Sequence, residues 1–276
     1  MTCCTACPHT CCLGEGFYGL CKSRCGRDDE VVAEGYGRIT SLALDPIEKK
    51  PISCWRGGTT VLSLGSYGCN MRCPFCQNAS IAQVGSDEVD WRVVSPGEIV
   101  ETALGLSARR CIGIAYTYNE PLINWEFLRD TGRMAHEEGL VNVLVSNGMA
   151  TEQVVREVAP LIDAANIDLK CFTDEGYRSL GGDLATAKRT IELLAEIPTC
   201  HLEVTTLVVP GLSDDEEQIE AMSLWLASLD PSIPYHLTRF FPQHRMTDVA
   251  PTPRATLEHL KTIAERHLET VLLGNV

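Results

Sequence analysis

The sequence predicts an α/β fold, a partial (β/α)6 TIM-like barrel with a small cysteine-rich N-terminal extension. Three observations predict it. Strand-like and helix-like segments alternate from about residue 59 onward. Six strand–helix units follow one another, and such alternation implies parallel strands with right-handed crossovers. Seven of the 14 cysteines fall in the first 25 residues, which separates an extension at 1–58 from a barrel domain at 59–276.

Each predicted strand is short, apolar or β-branched, and bounded by turn residues. Two helix starts carry capping boxes, formed by Ser95 with Glu98 and by Ser213 with Glu216. The predicted strands are 59–65, 111–117, 141–147, 164–170, 201–210, 234–240 and a short last one at 271–273. The predicted helices are 95–110, 121–139, 151–160, 183–196, 213–228 and 252–268.

Six such units form either a doubly wound sheet or an open barrel, since eight would close a full barrel. No Gly-rich dinucleotide fingerprint follows the first strand, which counts against a nucleotide-binding doubly wound sheet. In either architecture, reactive groups lie at the carboxyl ends of the strands. Taken singly, the polar groups there are ordinary caps or surface residues, but together they indicate a site. They are the loop 69–76, the segments 116–121, 146–148 and 168–170, Glu203 with Thr205, and His236.

Composition limits the function classes. A net charge of -14 argues against nucleic acid as the main partner. The sequence has no apolar run of membrane-spanning length and no secretory signal, so we expect a cytoplasmic protein. Cysteines clustered in that compartment more often bind metal or do redox work than form disulfides. We expect the four scattered cysteines to be small buried side chains; they are Cys54, Cys111, Cys171 and Cys200.

Three cysteines lie within eight residues in "GSYGCNMRCPFCQN" (65–78). Cys69, Cys73 and Cys76 have the spacing C-x3-C-x2-C. Structural zinc sites normally use four protein ligands, and a [4Fe–4S] cluster normally takes four cysteines. Three cysteines leave one iron without a protein ligand and free to bind substrate, so the motif predicts a cluster with an open iron.

A second cysteine set has the spacing C-x2-C-x3-C-x9-C near the N-terminus. Its members are Cys4, Cys7, Cys11 and Cys21. Four thiolates can hold a structural zinc ion or a second iron–sulfur cluster, and spacing alone does not choose between them. A disordered cysteine-rich arm is the alternative. Cys3, Cys12 and Cys25 receive no role, and His9 is interpreted as a hydrogen-bonding turn residue.

"CNMRCPFC" resembles the signature of the radical S-adenosylmethionine (SAM) superfamily, including the aromatic residue before the last cysteine. The resemblance covers about residues 59–276, and that superfamily's fold is a partial six-unit barrel. "VVPGLSDDEEQI" (208–219) and "PYHL" (234–237) are similar to segments of pyruvate formate-lyase activating enzymes. "CTACPHTCCLGEGFYGLC" (4–21) with "YGRITSLALDPIEKKP" (36–51) resembles the radical SAM enzyme of the AmmeMemoRadiSam system. That subgroup usually continues past "GNV" with a cysteine-bearing tail, whose role the sequence leaves open.

The resemblance implies that Cys69, Cys73 and Cys76 ligate three irons, while the amino and carboxylate groups of SAM chelate the fourth. The residues expected around SAM are Asn119 and Glu120 at its amino group, Ser146 and Asn147 nearby, Lys170 at its carboxylate, Asp168 in a polar or cation site, and His236 at the ribose or adenine.

Three positions depart from the family pattern. Tyr118 and Asn119 replace two glycines, Ser146 replaces an acidic residue, and Thr205 replaces an arginine. These changes weaken the expectation of an activase-type cation site, but not that of a cluster with SAM.

The implied reaction is reductive cleavage of SAM to a 5′-deoxyadenosyl radical, which abstracts hydrogen from a substrate. The substrate is either a glycyl radical enzyme partner or a small molecule or other macromolecule. A one-electron donor such as flavodoxin or ferredoxin is expected, and no catalytic acid–base side chain is required. A non-catalytic iron–sulfur or zinc protein is the alternative from another class. The sequence identifies neither the substrate, the reductant, the N-terminal metal nor the oligomeric state.

Overall fold

One sheet of eight strands forms the centre of the molecule. The computed structural model describes residues 1–276. Seven neighbouring strands are parallel, and the strand at one edge runs antiparallel to the rest. The α/β partial-barrel prediction is therefore confirmed. In spatial order from that edge, the strands are β1 (Ser41–Pro46), β2 (Thr60–Gly65), β3 (Cys111–Tyr116), β4 (Val141–Ser146), β5 (Ala164–Asp168), β6 (His201–Val208), β7 (Tyr235–Arg239) and β8 (Val271–Gly274).

Helices connect the parallel strands, as the predicted crossovers require. The capping box at Ser95 is present, with Ser95 Oγ accepting from the Glu98 N–H at 3.3 Å. The helices are α1 (Pro96–Gly105), α2 (Trp125–Glu137), α3 (Glu152–Val158), α4 (Asp174–Ser179), α5 (Leu184–Ala195), α6 (Glu216–Leu229) and α7 (Arg254–Ala264), with single turns at Ala79–Ala82, Ile47–Lys49, Ser107–Arg109, Pro121–Asn124 and Ala159–Leu161. None of them combines the length and apolarity that crossing a membrane requires.

The predicted cap at Ser213 is wrong. Asp215 caps α6 instead, because its carboxylate accepts from the Gln218 N–H at 3.0 Å. Ser213 is fully buried, and its hydroxyl donates to the Leu207 carbonyl at 2.7 Å. A short polar side chain in the preceding loop therefore fixes the turn after β6, while the helix cap lies two residues later, at Asp215.

Close backbone packing holds β3 against β4. Gly113 pairs with Val141, and a Cβ atom on Gly113 would lie 2.0 Å from the Val141 carbonyl oxygen. Most buried apolar residues form one large core, and a smaller cluster includes Ile47, Ile52 and Val61 with residues of β3 to β5. That core positions the carboxyl ends of the strands at one edge of the sheet.

The N-terminal region packs two small hairpins against the barrel. Thr2–Cys3 pairs with Cys12–Leu13, and Arg24–Arg27 pairs with Glu30–Ala33; Arg38–Ile39 also pairs with Arg92–Val93. The division of the chain at residue 58 stays a prediction, although β1 from the proposed extension is a member of the large sheet.

One expectation about cysteines is wrong, and a pair without a predicted role is bonded. Cys3 and Cys12 received no role, yet they form a disulfide, because the hairpin register places them directly opposite each other. Cys54 is exposed rather than buried. Its backbone N–H is directed inward, to Glu203 at 2.9 Å. Cys111 and Cys171 are buried as expected, and Cys200 is half-buried.

Candidate functional site

A cavity of about 690 Å³ opens at the carboxyl ends of the strands. Its size lies within the usual range for small-molecule and cofactor sites. All ten residues that the sequence assigns to the barrel site line it: Cys69, Cys73, Cys76, Asn119, Glu120, Ser146, Asn147, Asp168, Lys170 and His236. The topology thus brings together groups that are far apart in the sequence, while their individual roles stay predictions.

The three-cysteine loop follows β2 and is tied to the end of β3. The Asn119 side chain accepts from the Ser66 N–H at 3.0 Å and donates to the carbonyls of Tyr67 and Gly68 at 3.1 and 3.0 Å. Asn78 donates to the Tyr118 carbonyl at 2.7 Å. The amide of Asn119 therefore orients the loop that leads into the cysteines, a role that the sequence did not predict.

The Cys69 sulfur lies among N–H donors. The Met71 N–H and the Asn147 side-chain amide donate to its Sγ at 3.4 and 3.5 Å. Burial raises the pKa of Cys73 to about 11, against the lowering effect of the Lys170 ammonium. Buried thiols are poor acids without a metal, whereas metal-bound thiolates are stabilised by such donors and by a nearby cation.

Glu120 joins the ends of β3 and β4 from a buried position. Its Oε1 accepts from the Leu122 N–H at 2.9 Å and from the Ser146 hydroxyl at 2.8 Å. Its Oε2 accepts from the Asn147 N–H at 2.8 Å. Burial raises the pKa of Glu120 to about 7 despite these bonds. A carboxylate in this position would gain from a cationic neighbour.

Asp168 and Lys170 form an ion pair at the end of β5. Lys170 Nζ lies 2.6 Å from Asp168 Oδ2. Burial disfavours the charge on Lys170, but the Asp168 carboxylate outweighs this effect and raises the pKa of Lys170 above its ordinary value. The ammonium is therefore a fixed cation on the cavity wall, of the kind that binds a carboxylate.

The donor set and one unsatisfied group fit a cluster with a bound organic cofactor. The three thiols come from one short loop, and no three His, Cys, Asp or Glu side chains in the chain are gathered around a position for a single ion. Thr205 lines the cavity, and its buried hydroxyl has no hydrogen-bond partner. Buried polar atoms normally have partners, so a ligand in the cavity would supply one.

Comparison with protein-family models decides the identity. The model of the radical SAM superfamily matches residues 64–225, which is more than half of the chain and includes the whole three-cysteine loop. The chain belongs to the radical SAM superfamily. The matched residues run from the end of β2 through β6 and include most of the cavity wall.

Relatives and solved structures agree with this grouping. Uncharacterized protein MJ0808 of Methanocaldococcus jannaschii is 38% identical over 275 residues, which is 99% of this chain and 81% of that protein. Pyruvate formate-lyase 1-activating enzyme of Escherichia coli K12 is 24% identical over 226 residues, or 74% of this chain and 88% of the enzyme. The crystal structure of QueE from Escherichia coli superposes with a TM-score of 0.53 at 15% identity, over 85% of this chain and 92% of that one.

These matches confirm the predicted grouping with radical SAM proteins similar to pyruvate formate-lyase activating enzymes. The structural likeness at 15% identity supports the fold alone. The narrower assignment to the AmmeMemoRadiSam subgroup stays a prediction.

The sequence places Glu203 among the polar residues at the strand ends, but this buried carboxylate does not line the cavity and lies behind His236 in the radical SAM barrel. Glu203 is fully buried and accepts from His236 at 2.5 Å and from His201 at 2.8 Å. It also accepts from the backbone N–H groups of Ser53 and Cys54 at 3.2 and 2.9 Å. Burial opposes its charge, but the hydrogen bonds from both histidines outweigh this and lower the pKa of Glu203 to about 2.

Strand periodicity explains why this carboxylate lies inside the barrel. Glu203, Thr205 and Leu207 alternate along β6 and therefore share one face. Thr205 pairs with His236 in the sheet register. The glutamate is therefore in phase with residues that line the cavity.

The contacts of Tyr118 are a feature that the sequence did not reveal. Its φ of +70° is unusual for a bulky residue, and it occupies a position where the family pattern has glycine. Its hydroxyl donates to Asp45 at 2.6 Å, and Lys50 also donates to Asp45, at 2.7 Å. Burial and this carboxylate raise the pKa of Tyr118 to about 12. Tyr118 is 73 positions from Asp45 in the sequence, and Lys50 is 5 positions from it. No local sequence signal links the three residues.

The N-terminal cysteines lie outside the cavity. Cys4, Cys7 and Cys21 are buried and Cys11 is half-buried. The proposed second metal site stays a prediction. His9 contacts the Asn70 carbonyl at 2.8 Å, as expected of a hydrogen-bonding turn residue.

Proposed function

We propose that this protein is a radical SAM enzyme that cleaves SAM reductively at a [4Fe–4S] cluster bound by Cys69, Cys73 and Cys76. The observation that carries the proposal is a single cavity lined by this three-thiol loop, by a fixed cation and by a buried carboxylate. When bound, the cluster supplies one electron to the SAM sulfonium, whose S–C5′ bond breaks to give methionine and a 5′-deoxyadenosyl radical for hydrogen abstraction.

Two side chains have the charges that the amino-acid part of SAM needs. Lys170 presents an ammonium to the cavity and suits a carboxylate. A carboxylate has about four acceptor positions, and Glu120 uses three of them within the protein. The remaining position suits an ammonium, which would also relieve the cost of a buried negative charge. The side-chain amide of Asn147 would hold Cys69 in place through its hydrogen bond to the sulfur.

His236 is suited to a neutral part of the cofactor. Its Nε2 bonds to a Glu203 carboxylate whose pKa is lowered, so Nε2 carries the proton in this arrangement. Nδ1 is then an acceptor in the neutral ring. That nitrogen would accept from a ribose hydroxyl or an adenine amino group, while Thr205 beside it offers a free hydroxyl.

The first candidate substrate is a glycine of a partner glycyl radical enzyme. The similarity to pyruvate formate-lyase 1-activating enzyme over 74% of the chain supports it. A small molecule or another macromolecule is the second candidate. Ser146 and Thr205 support that alternative, because they stand where activases have an acidic residue and an arginine, and Thr205 has an unpaired hydroxyl in the cavity.

The test is an anaerobic assay of SAM cleavage. Protein reconstituted with iron and sulfide receives SAM and a strong reductant, and 5′-deoxyadenosine is quantified. Cys73→Ala should reduce the product to background. Cys111→Ala is the matched control, since this buried cysteine in β3 lies outside the cavity, and it should keep wild-type activity.

Two outcomes distinguish the substrates. A glycyl-radical EPR signal on an added partner protein would support activation. Deoxyadenosine formed only when a small molecule is added would support the second candidate. A wild-type protein with a full cluster that forms no deoxyadenosine with any partner or substrate would instead support a non-catalytic iron–sulfur protein.

A further inference from the structure

Four unpaired cysteines of the N-terminal region lie around one short loop. The Cys4 N–H donates to the Cys11 carbonyl at 2.9 Å, and the Cys3–Cys12 disulfide closes the hairpin just outside this pair. The loop 4–11 is thereby held with Cys4, Cys7 and Cys11 on it. These three thiols remain free although an oxidised pair lies next to them.

The fourth cysteine comes from a turn that packs on the same loop. A Cβ atom on Gly19 would lie 3.6 Å from Cys11 Sγ, and the Lys22 N–H donates to the Gly19 carbonyl at 2.9 Å. This turn carries Cys21 toward the other three. Cys21 lies close to Cys4 and Cys7, so the turn and the loop bring their thiols together. Cys4, Cys7 and Cys21 are only 6%, 8% and 7% exposed, so the set is enclosed by protein.

Arg24 provides an independent indication of negative charge at this place. Its side chain is 7% exposed, and its two Nη atoms bind Glu126 and the Ile123 carbonyl. Its buried Nε has no partner. Cys4 and Cys21 lie close enough that their thiolates would favour the charge on Arg24. A buried cation with an unused N–H beside thiols is expected where anionic sulfur is bound.

We propose that Cys4, Cys7, Cys11 and Cys21 bind a second [4Fe–4S] cluster, with one protein thiolate on each iron. A single zinc ion would hold its sulfurs at about 2.3 Å in a tight tetrahedron. Neither the N-terminal set nor Cys69, Cys73 and Cys76 is gathered as closely as a single ion requires. The likeness between the two sets favours a cluster over a zinc ion, and the iron and zinc contents of the reconstituted protein distinguish them.

The proposed cluster is closed and adjoins the SAM site. With four thiolates, no iron is left to chelate SAM. The N-terminal set packs directly on the three-cysteine loop: Arg72 Nη1 donates to the Cys69 carbonyl at 2.6 Å, Arg72 Nη2 contacts the Leu20 carbonyl, and a Cβ atom on Gly68 would lie 2.2 Å from the Cys21 carbonyl oxygen.

The test separates the two cysteine sets in the full-length protein. After anaerobic reconstitution, iron, sulfide and zinc per chain are measured, and the clusters are typed by Mössbauer spectroscopy. Wild type should hold about eight irons, and a variant with Cys69→Ala, Cys73→Ala and Cys76→Ala should keep about four. EPR of this variant after reduction should not change when SAM is added.

The N-terminal variant and its control complete the test. Cys7→Ala with Cys21→Ala should keep about four irons, whose EPR signal does respond to SAM. Cys25→Ala, a buried neighbour outside the set, should keep the wild-type iron content. The three-alanine variant leaves the N-terminal region intact and decides the question even if the double variant does not fold. Zinc in place of iron, or a three-alanine variant without iron, would overturn the proposal. Absence of deoxyadenosine in the wild type would overturn the proposed function alone.

Discussion

Glu203 connects several parts of the barrel interior through hydrogen bonds. One fully buried carboxylate binds two histidines and the backbone of residues 53 and 54. It thereby connects His236 on the cavity wall with the segment that runs between β1 and β2. A single side chain thus sets both the orientation of a proposed cofactor contact and the path of a connecting loop.

Glu203→Gln should lower the free energy of unfolding at pH 7 by about 3 kcal/mol, because hydrogen bonds to a charged group are lost. The pKa of Glu203 is lowered to about 2 in the folded state. Its contribution is therefore present above its ordinary pKa of about 4.5 and is lost as the pH falls toward 2. The difference in unfolding free energy between wild type and variant, measured from urea unfolding curves, should decrease over that pH range.

Exposed Glu217 provides the control for this experiment. Glu217→Gln should change the unfolding free energy by less than about 0.5 kcal/mol at every pH. If the difference in unfolding free energy between wild type and Glu203→Gln stays constant between pH 5 and pH 2, the charge on Glu203 contributes nothing to stability.

At this scale, local spacing pointed to residues that line the cavity, although their roles stay predictions. The three cysteines lie within eight residues after β2, and Asp168 and Lys170 are two positions apart at the end of β5. By contrast, Asn119 bonds to residues about fifty positions earlier, and Glu203 binds the backbone 149 and 150 positions before it. Such contacts depend on strand order and register, which no short motif contains.

The sheet depends on how closely its strands approach, and β3 with β4 is the clearest example. Gly113→Ala would place a methyl group against the Val141 carbonyl, so we expect a loss of about 1–3 kcal/mol or more. Gly105→Ala at the end of α1 meets nothing within 4 Å and should stabilise the protein by up to about 1 kcal/mol. Urea midpoints of the two variants measure the contrast. A Gly113→Ala midpoint equal to that of wild type would mean that the strands can separate without cost.

Elements with a clear period and a capping signal were predicted well, as β2 to β8 and α1 illustrate. Of the labelled strands and helices, two were missed, for different reasons. α4 has six residues and contains Gly176, so its periodicity is too short to recognise. β1 carries an apolar alternation that ends at Pro46, but its sheet partner lies beyond a connection of 13 residues, and only the antiparallel pairing reveals it as part of the barrel.

The whole molecule carries a net charge of -14, which bears on electron delivery. Repulsion from an acidic donor such as flavodoxin is screened as salt rises, since the Debye length falls to about 8 Å at physiological ionic strength. The rate of deoxyadenosine formation with limiting flavodoxin should therefore increase between low and physiological salt. Reduced methyl viologen, a cation, is the matched donor and should show the opposite trend. A flavodoxin-driven rate that falls with salt would indicate a basic docking patch that outweighs the net charge.

The sheet ends in two strands, β1 and β8, that are not hydrogen-bonded to each other. The inner strands hold the proposed cofactor contacts, whereas each outer strand has a free edge. Segments can be gained or lost in evolution at these edges without moving the inner strands. We therefore expect related proteins to differ most at the edge strands and least in the inner strands. New substrate specificities would then arise from changes at the edges of the sheet, while the inner residues proposed to contact the cofactor stay the same.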